Sequence, residues 1–66
     1  MQITLNGKPH TLEQPINIGQ LAEQLKLEPT QVAIERNREI IPRSLYMEVM
    51  LGEGDELEIV TFIGGG

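Results

Sequence analysis

The three glycines at positions 64–66 are the residues that point most directly to a chemical role. A carboxylate on Gly66 is ionised at neutral pH, because a C-terminal carboxyl group has a pKa near about 3.5. It must therefore be activated, for example as a mixed anhydride with AMP, before it can take part in acyl transfer. Glycine carries no Cβ and fits a narrow channel. The three glycines therefore predict either a thin, flexible tail whose terminal carboxylate another protein activates, or a frayed end without a function.

The residues before the tail indicate that the tail has a function and is not a frayed terminus. The strand-forming run VTFI passes into the glycines without a polar linker, whereas a loose end or an expression scar usually follows one. Fully extended, residues 63–66 reach at most about 14 Å. That length allows the tail to leave the globule and enter a cleft of a neighbouring protein.

Reactive side chains are scarce elsewhere. The sequence contains no cysteine, which excludes disulfides and thiolate metal sites, and the single histidine, His10, cannot form a metal cluster by itself. A chain of 66 residues allows one domain, and its stability must come from apolar packing. Because Tyr46 and Phe62 are the two aromatic residues, we expect a core of Ile, Leu and Val.

The overall composition restricts the class of partner. A net charge of −5 disfavours nucleic acid, because phosphate binding requires a basic surface. No apolar run approaches the roughly 20 residues that span a membrane. The N-terminal stretch MQITLNGK has neither a basic start nor an apolar signal core. We therefore expect a cytoplasmic protein that binds other proteins and neither nucleic acid nor membrane.

The charged residues fall into two groups. One group is basic (Arg36, Arg38 and Arg43), and the other is acidic (Glu53, Asp55, Glu56 and Glu58). The acidic group is compatible with ordinary solvated surface or with a surface that steers the chain toward a basic partner. The arginines are compatible with a hydrated turn or with contact to an acidic partner patch, and the sequence does not distinguish the two.

The first residues have the pattern of a β-hairpin. Ile3 and Leu5 alternate with polar neighbours, as in a half-buried strand. Asn6-Gly7 is typical of a type I′ turn, because both residues tolerate positive φ. Pro9 cannot donate a ladder hydrogen bond, so the second strand is predicted to lie at a sheet edge.

The next segment has helical periodicity. Its apolar stripe predicts an amphipathic helix of about three turns and consists of Ile18, Leu21, Ala22 and Leu25. Asn17 is the expected N-cap, with Gln20 as its capping-box partner. Pro29 prevents the helix from continuing.

The second half predicts several strands. Val32-Ala33-Ile34 is typical of an inner strand, and Asn37 suits a tight turn into a short strand REII. Ser44 is a candidate cap for a single turn, EVML a candidate extended piece, and LEIVTFI the clearest strand. A hairpin, a helix and further strands predict an α+β mixed sheet with the helix across one face. The ubiquitin-like β-grasp has this order, with its first and last strands parallel at the centre.

The last strand predicts a docking surface. Leu57 and Ile59 point to one side of the sheet, and Val60 and Phe62 point to the other. If the first pair meets the helix, the second pair lies on the open face, next to the tail. Loop coverage is the ordinary alternative. We predict a partner-binding surface composed of Glu58, Val60, Phe62 and Ile63.

Four motifs together carry a family resemblance. LNGK, VAIERNREIIPRSLY, GDELEIV and FIGGG make the chain resemble the ThiS family, the sulfur carrier proteins of thiamine thiazole synthesis, along its full length. The family's diagnostic Gly-Gly corresponds to Gly65 and Gly66, and Gly64 is an additional spacer. The resemblance implies a β-grasp domain over residues 1–63 and a flexible tail over residues 64–66.

The resemblance also implies a reaction sequence. The E1-like adenylyltransferase ThiF adenylates the Gly66 carboxylate with ATP and Mg²⁺, and a persulfide donor converts it to a thiocarboxylate. The thiazole synthase ThiG then takes up the sulfur. The chain is in that case a protein cosubstrate and not an enzyme, with no catalytic residue, metal or bound cofactor of its own.

Two other classes of function remain open. A Gly-Gly end also fits the small subunit of molybdopterin synthase and ubiquitin-like protein modifiers, which form isopeptide bonds with lysines. A non-covalent interaction module, in which Val60 and Phe62 dock and the tail is incidental, is the third possibility.

Overall fold

The computed structural model describes residues 1–62, so Ile63 and the glycine tail lie outside the described part of the chain. In chain order the elements are β1 (Gln2–Leu5), β2 (Lys8–Thr11), α1 (Ile18–Gln24), a 3-10 turn (Pro29–Gln31), β3 (Val32–Arg36), β4 (Glu39–Ile40), a second 3-10 turn (Arg43–Leu45) and β5 (Glu56–Thr61). The prediction of a hairpin, a helix and a terminal strand is confirmed.

The five strands form one mixed sheet in the order β2-β1-β5-β3-β4. β1 and β5 are parallel neighbours at the centre, and β1–β2, β3–β5 and β3–β4 are antiparallel. β2, which contains Pro9, lies at an edge, where its missing N–H costs no sheet hydrogen bond. This is the predicted ubiquitin-like β-grasp topology.

Type I′-like turns connect the two strands of each hairpin, β1 to β2 and β3 to β4. Asn6 and Gly7 have φ values of 50° and 81°, as the Asn-Gly signal predicts. Asn37 and Arg38 have φ values of 51° and 72°. Arg38 adopts a left-handed conformation that a side chain with a Cβ makes unfavourable.

Helix α1 has the predicted cap but is shorter than predicted. The Asn17 Oδ1 accepts from the Gln20 N–H at 2.7 Å, and the Gln20 Oε1 accepts from the Asn17 N–H at 2.9 Å. The helix ends at Gln24 after two turns, because Lys26 turns left-handed with φ 59° and the Leu27 N–H folds back onto the Ala22 carbonyl. The stop therefore comes from this local geometry, several residues before Pro29.

The core lies between α1 and one face of the sheet. Its largest fully buried side chains are Ile3, Ile18, Leu21, Ile34 and Leu57. The expectation of a purely aliphatic core is wrong, because Tyr46 is also buried, at 4% exposure. This burial raises the pKa of its phenol, an effect that the positive charge of Arg43 partly offsets.

The segment between β4 and β5 differs from two further predictions. Ser44 does not cap a turn: it lies inside the 3-10 turn, which follows Pro42 and has no side-chain cap. The EVML segment is not a strand, since its sheet-like contact is a single bridge between Met50 and Asn17. It serves instead to carry the chain past the helix N-terminus, where the Val49 carbonyl accepts from the Ile18 N–H at 3.1 Å.

Candidate functional site

The two faces of β5 have the predicted orientation. Leu57 is buried, and Ile59 is half-buried against the core. Val60 and Phe62 point to the opposite face and are 55% and 53% exposed, and Glu58 is exposed on that face as well. These three predicted partner-binding residues therefore share one open surface, and their binding role stays a prediction. Ile63 and the glycines of the predicted site lie outside the described residues.

The strand register adds side chains to this surface that the sequence did not show. Ala33 lies opposite Val60, and Glu35 lies opposite Glu58. Ile40 lies opposite Glu35 and is 69% exposed. These positions follow from pairing between strands, so no local sequence signal identifies them. We call the open-face surface of Ala33, Glu35, Ile40, Glu56, Glu58, Val60 and Phe62 the β5 face.

The β5 face has an apolar end and an acidic end. Val60 and Phe62 form the apolar end, adjacent to the point where the chain continues to residue 63. Glu56, Glu58 and Glu35 form the acidic end. Glu35 and Glu58 are directly opposed like charges, an arrangement that destabilises a sheet. A basic partner surface would relieve this repulsion.

Asp55 does not belong to the acidic surface, contrary to the prediction. Its side chain is buried, with the residue 8% exposed, and its carboxylate accepts from the Arg36 Nε at 2.8 Å. The Gly52 N–H and the Asn37 Nδ2 donate to the same carboxylate at 2.7 and 3.1 Å. Burial acts to raise the pKa of Asp55, but these hydrogen bonds and the Arg36 charge outweigh it, and the net pKa is lowered.

The three arginines do not form one surface. Arg36 forms the ion pair with Asp55, so its side chain makes an intramolecular contact. Arg38 borders a shallow depression on the β5 face together with Glu35 and Glu58. Arg43 lies on the other side of the molecule, beside Tyr46 and Met47. A single acidic partner patch therefore cannot bind all three.

Asn6 connects the first hairpin to β5. β1 ends at Leu5, and the Asn6 N–H donates to the Leu57 carbonyl at 2.8 Å. The Asn6 Oδ1 then accepts from the Ile59 N–H at 2.7 Å, and the Asn6 Nδ2 donates to the Ile59 carbonyl at 3.2 Å. The sequence indicated a turn at Asn6 but gave no sign of this second function. Its left-handed backbone directs the amide toward β5.

Residues 1–62 hold neither a metal-binding cluster nor a membrane-spanning helix. In this range no three His, Asp or Glu side chains are grouped so as to hold a metal ion. None of the helices of the described part is long and apolar enough to cross a membrane.

The fold and the β5 face define a β-grasp domain with an exposed apolar and acidic surface on its last strand. The chain belongs to the ThiS family, whose model matches residues 3–66. The sulfur carrier protein ThiS of Bacillus subtilis is 42% identical over 65 residues, which cover 97% of this chain and 98% of that protein. The crystal structure of the thiamine biosynthesis protein ThiS from Geobacter metallireducens superimposes with a TM-score of 0.86 at 33% identity, covering 100% of both chains.

Two longer relatives contain a segment similar to this chain. A thiazole synthase from Paramagnetospirillum magneticum is 41% identical over 66 residues, and one from Magnetococcus marinus is 44% identical over 66 residues. Both matches include 100% of this chain, which spans 20% of the length of either protein.

Proposed function

We propose that this chain is a sulfur carrier protein that delivers sulfur for thiazole formation in thiamine biosynthesis. The observation that carries the proposal is the family match, which extends through residue 66 and so includes Gly65 and Gly66. The Bacillus subtilis relative, which is named as a sulfur carrier, aligns over nearly its whole length. The exposed Val60 and Phe62 immediately before the tail support the proposal, because they offer an activating enzyme a surface to bind.

The proposed chemistry takes place at the Gly66 carboxylate. A carboxylate oxygen attacks the α-phosphorus of ATP, releasing pyrophosphate and forming an acyl-adenylate. The terminal sulfur of a persulfide then attacks the acyl carbon, and AMP leaves. A thiol of the donor system cleaves the resulting S–S bond, which leaves a thiocarboxylate on Gly66 and a disulfide on the donor.

The chain acts in this proposal as a cosubstrate and not as an enzyme. ATP and Mg²⁺ are bound by an E1-like adenylyltransferase of the ThiF type, and the final acceptor is a thiazole synthase of the ThiG type. The two relatives named thiazole synthase support the second partner, because a carrier segment within the same protein as the acceptor indicates that the two act together.

Intact-protein mass spectrometry tests the proposal. The chain is incubated with ATP, Mg²⁺, the E1-like enzyme and a persulfide donor, and a chain lacking Gly66 serves as the control. We expect a mass increase that corresponds to replacement of one oxygen by sulfur, located at Gly66 and missing from the control. An AMP adduct that transfers to lysines, without a thiocarboxylate, would indicate a protein modifier instead. Adenylation of the truncated control would contradict the assignment of Gly66.

A further inference from the structure

The backbone of β5 bonds alternately to its two neighbours. The Phe62 N–H donates to the Gln31 carbonyl at 2.7 Å, and the Glu56 carbonyl accepts from the Asn37 N–H at 2.7 Å. The backbone N–H and C=O groups of the even-numbered residues of β5 therefore point toward β3. Leu57 and Ile59 use their backbone groups on the opposite side, toward β1 and Asn6. Because strand residues alternate, the Thr61 N–H and C=O also point to the β1 side.

Among residues 1–62, no strand pairs with Thr61 on that side. β1 ends at Leu5, and the Asn6 side chain extends its ladder by one step, to Ile59. The chain then reverses at Asn6-Gly7 and continues as the edge strand β2. Within residues 1–62, β5 thus changes at Ile59 from a strand paired on both sides to a strand paired only with β3.

As a result, the backbone of Thr61 forms an exposed edge of the sheet. Its neighbours on the β3 side keep it extended, because Thr61 is in register with Val32, and the Phe62 N–H bonds to Gln31. Thr61 itself is exposed. An open N–H and C=O on a strand held straight from its other side are a template for pairing with another chain.

We propose that this edge binds an extended, basic segment of the activating enzyme by strand addition beside Thr61. The inference rests on the proposed sulfur-carrier function and specifies how the carrier is held. The open-face residues on either side of Thr61 are Val60 and Phe62, and Glu58 is the next residue along the same face. The added segment would therefore meet an apolar pair and, at one end, an acidic residue. The net charge of −5 and the opposed pair Glu35–Glu58 favour basic side chains in the segment.

A second copy of this chain is a poorer occupant of the edge. Two copies of a chain with a net charge of −5 repel each other, and the open edge of one residue supplies too few hydrogen bonds to hold a homodimer. An activating enzyme has additional contacts available, because it also binds the apolar end of the β5 face.

Two substitutions at one position separate backbone pairing from side-chain contact. Thr61→Pro removes the outward N–H and leaves the β3 ladder intact, since the Thr61 N–H does not point to β3. Thr61→Ala keeps the N–H and removes the side chain. In an ATP–pyrophosphate exchange assay with the E1-like enzyme, we expect Thr61→Pro to raise the KM for the chain about tenfold or more with kcat nearly unchanged. Thr61→Ala should stay within about twofold of wild type. Equal KM values for the two variants would overturn the inference.

Hydrogen exchange supplies a measurement that needs no variant. In the wild-type chain the Thr61 amide should exchange fast when free and become protected when the E1-like enzyme is added. An unchanged Thr61 amide in the complex contradicts strand addition, even if Thr61→Pro fails to fold. Protection that rises with the concentration of the chain alone would instead identify a homodimer. If wild-type chain is not adenylated at all, the proposed function fails first, and this outcome is distinct from either result.

Discussion

Arg36 and Asp55 form an ion pair, with the Arg36 Nε 2.8 Å from the Asp55 Oδ2, that joins β3 to the loop before β5. The Gly52 N–H and the Asn37 side chain donate to the same carboxylate. The Asn37 Oδ1 in turn accepts from the Glu56 N–H at 3.0 Å. The start of β5 is therefore tied to the β3–β4 turn through one buried carboxylate, and this arrangement makes the position of β5 depend on the charge of Asp55.

Stability is predicted to fall at acid pH through Asp55. Its folded-state pKa is lower than its unfolded-state pKa, so its ionised form stabilises the fold above the ordinary Asp value of about 3.9. This contribution is lost as the pH falls through the lowered value. We expect Asp55→Asn to be less stable at pH 7 by about 2 kcal/mol, with the difference shrinking below about pH 4. Urea unfolding at a series of pH values measures both effects.

Glu48→Gln is the matched control for that experiment. It removes the same charge from an exposed turn residue, and we expect it to change stability by less than about 0.5 kcal/mol. A pH profile of Asp55→Asn parallel to that of wild type would show that Asp55 is not the titrating group.

Arg38→Gly is predicted to stabilise the protein. Arg38 has a φ of 72°, at the second position of a two-residue hairpin turn where glycine is favoured. Relief of the left-handed strain exceeds the added chain entropy of glycine, and we expect a gain of about 0.5 kcal/mol. Thermal unfolding measures it, with Arg43→Gly in the 3-10 turn as the comparison. A decrease for Arg38→Gly would indicate that its side chain makes a stabilising contact.

Asn6→Gly is predicted to loosen β5 without disturbing the hairpin turn. Glycine retains the φ of 50° that Asn6 adopts but removes both hydrogen bonds to Ile59. We expect a loss of about 2 kcal/mol, the sum of two ordinary hydrogen bonds. The Ile59 amide should exchange faster relative to the Val60 amide, which bonds to β3. Exchange that accelerates equally at both amides would mean global destabilisation and not release of one side of β5.

Phe62→Asp is predicted to reduce activation with little effect on stability. Phe62 is 53% exposed, and its backbone bond to Gln31 does not depend on the side chain. We expect the KM for the chain in adenylation to rise at least about tenfold, while the melting temperature stays within about 3 °C. Exposed Met47→Asp, on the helix side of the sheet beside Arg43 and Tyr46, is the control. A large fall in melting temperature for Phe62→Asp would show that Phe62 belongs to the core.

Glu58→Gln is predicted to raise the stability of the chain and to slow its association with a basic partner. Removing one of two opposed carboxylates relieves repulsion with Glu35, so stability should rise by about 0.5 kcal/mol. Association with a basic partner should become slower and less dependent on salt. Stopped-flow binding at two ionic strengths measures the rate. Unchanged salt dependence would remove Glu58 from the partner-binding surface.

Turns, helix caps and strand alternation could be predicted from the sequence, because each depends only on residues that are neighbours in the chain. Positive φ at Asn6-Gly7, the capping box of Asn17 and Gln20 and the alternation along β5 are each set by a few consecutive side chains. The length of α1 was overestimated, since the apolar stripe continues to Leu25 while the left-handed Lys26 stops the helix.

The amino-acid sequence by itself determined the order of the elements and placed Val60 and Phe62 on the side of β5 opposite to Leu57 and Ile59. The tertiary structure decided which charged residues remain available to a partner. Asp55 and Arg36 look like free surface charges in the sequence but pair with each other, with Asp55 buried and Arg36 partly exposed. Glu35 and Ile40 join the β5 face only through strand register. The physical reason is that burial and pairing depend on residues distant in sequence, and no local pattern encodes them.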